Sequence, residues 1–170
     1  MSSLPSPHPL EPPRLVLPYR GGSRGRDRRK APRRHYEWQS LHSTLDGVRI
    51  LVVDDNEDHL DIITAFLQRL GATVLNALGA PGALLQLREF KPDIVLADLM
   101  MPRVDGFKLL AEIKALRLDD GGRVPIVAVS GHYDAATAVK SGFSAFVAKP
   151  LDFQQLTETI IDLLPDRDER

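Results

Sequence analysis

From residue 49 onward, apolar and polar positions fall into two kinds of block that alternate along the chain. The first kind is short and almost continuously apolar: "RILVV" (49–53), "ATVLNA" (72–77), "DIVLA" (93–97), "VPIVAVS" (124–130) and "FSAFVA" (143–148). Apolar runs of this length predict buried strands. The second kind carries apolar residues at helical spacing. In "DHLDIITAFLQRLG" (58–71), Leu60, Ile63, Leu67 and Leu70 share a face and Gly71 stops the helix. "APGALLQLREF" (80–90) reads as a helix with Pro81 in its first turn. "GFKLLAEIKALR" (106–117) aligns Phe107, Leu110, Ile113 and Leu116. "HYDAATAVKSG" (132–142) predicts a short helix, and "LDFQQLTETIIDLL" (151–164) a last one, capped by Asp152 and followed by Pro165.

The order is therefore five strand–helix pairs. Strands apolar almost throughout belong to a parallel sheet covered on both faces. Right-handed crossovers make that sheet doubly wound, an α/β fold whose ligands bind beyond the C-terminal ends of the strands.

Composition changes this picture only at the N-terminus. Residues 1–46 hold nine Lys/Arg against four acids, a net charge of +5, within a 170-residue chain whose net charge is −1. More than half of the prolines lie there too. Such a segment cannot build a core and is expected to be disordered, with Leu15–Leu17 and Tyr36–Trp38 as small apolar islands able to dock. The expected division is a basic Pro/Arg-rich tail at 1–46, a folded domain at 47–165 and a charged end at 166–170. The chain has no cysteine, which suits a reducing compartment, and no apolar signal core or membrane-length run, so a cytoplasmic location with no membrane contact is expected.

The strand ends carry the chemistry. The first predicted strand runs into Asp54-Asp55, the third into Asp98, the fourth into Ser130-Gly131 and the fifth into Lys149-Pro150. A lone acid at a strand end commonly opens a turn or caps a helix. Three acids, a hydroxyl and an ammonium on one rim are much harder to place by chance. Two carboxylates about 4 Å apart repel by roughly 4 kcal/mol at an effective dielectric near 20, so the cluster must hold protons or a cation. All-oxygen donors favour Mg2+ over zinc or copper. The five histidines (His8, His35, His42, His59, His132) show no ligand spacing, and four read as plain surface residues. With Mg2+ bound, one carboxylate could attack a phosphoryl group, with Lys149 and Ser130 as donors to its oxygens.

Over about 47–164, "RILVVDDNED", "DIVLADLMMPRVDG", "VAVSG" and "FVAKP" together resemble the CheY-like receiver domains of bacterial two-component response regulators. The resemblance implies a flavodoxin-like sheet of order 2-1-3-4-5 with five helices. It implies that Asp98 is the phospho-acceptor and Asp55 a Mg2+ ligand, with Asp54 acting near the metal and the Met100 backbone carbonyl completing the protein ligands. Ser130 matches the switch hydroxyl, Lys149 the phosphate-binding lysine and Phe146 the switch aromatic. Lys-Pro at this place is often cis in the family. The phosphodonor would be a histidine kinase or a histidine phosphotransfer protein, and the output a phosphorylation-dependent contact with a downstream protein. Such a chain catalyses its own phosphorylation and dephosphorylation without being an enzyme toward a separate substrate. Lys149 follows Ser130 by 19 positions, about three fewer than the family pattern, which puts pairing through the fourth-helix face in doubt.

Other classes fit less well. The chain has no G-x-x-x-x-G-K-[ST] loop, no G-x-G-x-x-G after the first strand and no G-x-S-x-G. A phosphatase forming an aspartyl phosphate usually needs a second acid two residues after the nucleophile, where this chain has Met100. A receiver-like interaction module held in one state would need none of the Asp54/Asp55/Asp98/Ser130/Lys149 set. "RGGSRGRDRRKAPRRHYEW" resembles a nucleic-acid-binding tail, but a solvated linker is the favoured reading. Only "PDRDER" follows the last helix, so a single-domain response regulator is expected.

Overall fold

The computed structural model describes residues 44–102, 104–117 and 120–165, together with the backbone of 15–16 and 35–36. Five parallel strands alternate with five helices. They are β1 (Arg49–Asp54), α1 (Glu57–Arg69), β2 (Thr73–Leu78), α2 (Ala80–Phe90), β3 (Ile94–Asp98), α3 (Gly106–Lys114), β4 (Ile126–Ser130), α4 (Ala135–Ser141), β5 (Ala145–Ala148) and α5 (Phe153–Leu163). The sheet order is β2-β1-β3-β4-β5, all parallel, so the expected 2-1-3-4-5 arrangement is observed.

Period-2 alternation divides the core. Ile50 and Val52 of β1, Ile94 and Leu96 of β3, and Val127 and Val129 of β4 pack with α1 and α5 through Leu60, Ile63, Leu67, Leu156 and Ile160. The residues between them, Leu51, Val53, Val95, Ala97, Ile126 and Ala128, face α2 and α3 through Leu87, Leu109 and Ile113. Both faces of the central strands are thus buried, which is why they read as unbroken apolar runs. On α3 the pattern missed Leu109, which is fully buried, and the helix stops at Lys114 rather than running to 117.

Side chains fix the helix starts. Asn56 accepts from the His59 amide at 3.1 Å, Asp105 from Lys108 at 2.9 Å, Asp134 from Thr137 at 2.7 Å, and Asp152 from Gln154 and Gln155. Gly106 has a second reason to be glycine. A Cβ there would lie 2.6 Å from the Asp98 carbonyl oxygen and 2.9 Å from Leu99 Cα. The α3 start is therefore pressed directly under the end of β3. α4 is only seven residues long. The Lys114 Nζ donates to the Gly142 carbonyl at its end, and Phe107 of α3 meets Tyr133 and Phe143, edge to face, on either side of α4.

Two expectations about the N-terminal segment need correction. The folded domain does not begin at 47: Leu45 is fully buried in the α1/α5-side core, and its amide donates to the Leu70 carbonyl at 2.8 Å. Gly71, at φ 93°, lets that backbone approach, since a Cβ there would lie 3.2 Å from Asp46. Within the segment read as disordered, the backbone of Leu15–Val16 pairs antiparallel with that of His35–Tyr36. The remainder of 1–43, and the charged end at 166–170, lie outside the described residues.

Candidate functional site: an acidic rim bridged by a lysine

Parallel strands in this order bring the C-terminal ends of β1, β3, β4 and β5 to one rim. Asp54 ends β1 and is buried, Asp55 follows it exposed, Asp98 ends β3 and is buried, and Ser130 ends β4 at 1% exposure. One oxygen from each of Asp54, Asp55 and Asp98 lies within 4.8 Å of the others. The backbone holds the two buried carboxylates in place. The Asn56 amide donates to Asp54 Oδ1 at 2.9 Å, and the Met100 amide donates to Asp98 Oδ1 at 3.1 Å.

Lys149, just beyond β5, closes the rim. Its Nζ donates to Asp54 Oδ2 at 3.0 Å and to Asp98 Oδ2 at 2.9 Å. Burial of the ammonium works to lower its pKa. The hydrogen bonds and charges of Asp98 and Asp54 outweigh that, and the net displacement is upward from the usual lysine value. Lys149 therefore stays charged and neutralises a pair of acids whose mutual repulsion is a few kcal/mol. The Lys149–Pro150 bond is cis, and the Lys149 amide donates to the Ser130 carbonyl at 2.9 Å, fixing β5 against β4 at the site.

The other expected residues sit nearby in different relations. The Ser130 hydroxyl accepts from the His132 amide at 3.2 Å. Phe146 is half-buried and packs against the α2/α3-side core. The Met100 side chain is 49% exposed at the lip of the site. His59, which carries no ligand spacing in the sequence, also belongs here. Its Nδ1 lies 3.2 Å from Asp54 Oδ2 and 3.4 Å from Lys149 Nζ. The available signal was the Asn56 cap, which puts residue 59 in the first turn of α1, directly beside the end of β1.

Three carboxylates converging without a sulfur ligand make a hard-oxygen site suited to Mg2+. The same rim, with a buried carboxylate, a fixed ammonium and a buried hydroxyl, can hold and neutralise a tetrahedral anion bonded to Asp98.

Comparison with known proteins agrees. The model of the response regulator receiver domain family matches residues 50–161, and the chain belongs to that family. Receiver domains act in two-component signalling, accept phosphoryl groups on aspartate and bind Mg2+ at an acidic pocket. The transcriptional regulatory protein ZraR of Salmonella typhimurium is 40% identical over 116 residues, covering 66% of this chain and 25% of ZraR. The chain thus spans about a quarter of that relative's length. An uncharacterized 14.6 kDa protein of Leptolyngbya boryana is 33% identical over 120 residues, covering 69% of this chain and 90% of the relative. The receiver domain of the Arabidopsis thaliana histidine kinase CKI1, crystallised with Mg2+ and BeF3-, superposes with a TM-score of 0.64 at 30% identity, covering 73% of this chain and 94% of that one. Among the described residues no helix is long and apolar enough to cross a membrane.

Proposed function

We propose that this chain receives a phosphoryl group on Asp98 from a histidine kinase or histidine phosphotransfer protein and signals through a phosphorylation-dependent contact with a downstream protein, in the cytoplasm. The observation that carries the proposal is Lys149 Nζ bridging Asp98 and Asp54. A structural ion pair needs one carboxylate, whereas two buried acids around one lysine leave an anionic rim suited to a cation and a phosphoryl group.

An Asp98 carboxylate oxygen attacks the phosphorus of a phosphoimidazole. The new O–P bond forms as the P–N bond breaks, and the electron pair leaves on the imidazole nitrogen, which takes a proton from solvent. Mg2+, held by Asp54, Asp55, Asp98 and the Met100 carbonyl, would neutralise charge on the transferring oxygens. Lys149 leaves Asp54 to donate to a phosphoryl oxygen. The Ser130 hydroxyl turns from the His132 amide toward another, and Phe146 moves inward behind it. The test is intact mass after incubation with acetyl phosphate and Mg2+. The wild type should gain one phosphoryl mass, the gain should vanish with EDTA and in Asp98→Asn, and full labelling of Asp98→Asn would overturn the assignment.

A further inference from the structure

The seven residues of α4 give that helix little stability of its own. Only Ala138 among them is buried, so contacts on either side of the helix fix its place. After its end, the Gly142 carbonyl accepts from Lys114 Nζ at 2.7 Å, and the buried Phe143 ring meets Phe107 at 5.7 Å. Before its start, the Tyr133 ring meets the same Phe107 at 5.0 Å, with 76° between the planes. Phe107 is a firm anchor, because Gly106, one residue before it, is pressed against the Asp98 carbonyl and Leu99. Tyr133 is thereby tied to the end of the strand that carries Asp98.

Tyr133 also lies three positions after Ser130. The Ser130 hydroxyl accepts from the His132 amide at 3.2 Å, and the Asp134 side chain accepts from the Thr137 amide at 2.7 Å, so the segment between them is held at both ends. If the hydroxyl turns to a phosphoryl group, the His132 amide loses its acceptor. Residues 131–133 can then follow the hydroxyl only if Tyr133 leaves Phe107. Tyr133 is 40% exposed, so its ring reaches water by a small outward swing, whereas Phe143, 3% exposed, is fixed in the core. We infer that the Tyr133–Phe107 contact is a latch: it holds the segment after Ser130 in its resting position, and a phosphoryl group on Asp98 releases it. One edge-to-face aromatic pair shifts the balance between latched and released arrangements by about threefold to tenfold. This inference rests on Asp98 as the phospho-acceptor and Ser130 as the switch hydroxyl.

The test uses the full chain with beryllofluoride as the phosphoryl mimic at saturating Mg2+. Tyr19→Phe and Tyr36→Phe leave Tyr133 as the only tyrosine, so incorporated 3-fluorotyrosine reports on that ring alone by fluorine NMR. Phe107→Leu in this background gives the signal of an unlatched ring. Beryllofluoride should move the signal of the protein with Phe107 intact toward that position. The second measurement is the beryllofluoride concentration at half-saturation, followed by the Gly131 amide resonance. Tyr133→Ala should bind about threefold to tenfold more tightly, because no latch opposes the switch. Tyr133→Phe keeps the ring and should bind as the wild type does. A residue that only supports the fold would lower the unfolding midpoint in Tyr133→Ala without tightening binding, and that result overturns the latch. So does a Tyr133 signal that beryllofluoride leaves in place, or equal tightening in Tyr133→Ala and Tyr133→Phe. A wild type that binds no beryllofluoride, or an Asp98→Asn variant that binds it equally well, overturns the reading of Asp98 and the latch with it.

Discussion

Lys149→Met removes the ammonium while keeping an apolar stem of similar length. Asp54 and Asp98, 2% and 6% exposed, would then face each other and Asp55 uncompensated. Their nearest oxygens lie within 4.8 Å. At that separation and an effective dielectric near 20, one like-charged pair costs about 3.5 kcal/mol. Protonation caps the cost: forcing a proton at pH 7 onto a carboxyl of ordinary pKa near 4 takes about 4 kcal/mol. The expected loss of stability at pH 7 without divalent ions is therefore about 3–4 kcal/mol, in the range for a buried pair broken by removing one partner. Two signatures separate this from a packing defect. Mg2+ should return much of the loss, because a cation takes up the ammonium's electrostatic role. The loss should also shrink as the pH falls from about 7 to about 5, because a carboxyl whose folded pKa is raised sheds its penalty on protonation. In the wild type the sign is opposite in kind. The folded pKa of Lys149 is raised, so its contribution is complete below the ordinary lysine value near 10.4 and is lost only as the pH rises through the folded value. The assay is urea unfolding followed by circular dichroism, in EDTA and in excess Mg2+, at both pH values. A loss under about 1 kcal/mol in EDTA at pH 7, or one that Mg2+ leaves unchanged, would refute this account of the rim.

Gly106→Ala should destabilise by about 1–3 kcal/mol, since the new Cβ meets backbone at the Asp98 carbonyl oxygen and Leu99 Cα as well as the Leu99 side chain; thermal unfolding checks this, and an unchanged midpoint would show that α3 can retreat freely. Ser130→Ala should still take up phosphoryl mass but bind the phosphorylation-dependent partner weakly, and partner affinity equal to phosphorylated wild type would remove the hydroxyl from the switch. The Met100 side chain is half-exposed beside the acceptor and is flexible and apolar, with no group that could orient a water. Met100→Asn should therefore shorten the phosphoprotein lifetime, each tenfold change corresponding to about 1.4 kcal/mol in the barrier. Decay at the wild-type rate or slower after donor removal would show that position 100 does not gate water.

The strands, their order and the acids at their ends were legible because one physical cause writes all three. Central strands buried on both faces must be apolar throughout, so a charged residue can enter only where the strand leaves the sheet. Asp54, Asp98 and Lys149 stand at those exits, and the crossover rule then gathers the exits onto one rim. What the sequence left out depends on contacts between residues far apart in the chain or on the direction of single side chains. Leu45 reads as the end of a polar tail because Asp46-Gly47 follows it, yet it fills the core beneath Leu70, a contact that no local pattern encodes. The pairing of Leu15–Val16 with His35–Tyr36 spans a proline- and arginine-rich stretch whose composition argues against pairing. Gly106 reads as the second half of an Asp-Gly turn, but the closer constraint is the Asp98 carbonyl beneath it.

His59 is the sharpest case. His59 has no metal-ligand spacing to the other histidines, and its contacts are Asp54 and Lys149, five and ninety residues away. What places it is its first-turn position on α1, which overhangs the end of β1. Asn56 as the cap sets that position, because a side chain that accepts from the amide three residues on places residue 59 over the cap. A histidine there touches the buried acid that ends β1, whatever its spacing from other ligands. A half-exposed residue on the lip of an acidic rim is free of the packing constraint that writes the strands, so its identity carries information about the chemistry of the rim rather than about the fold.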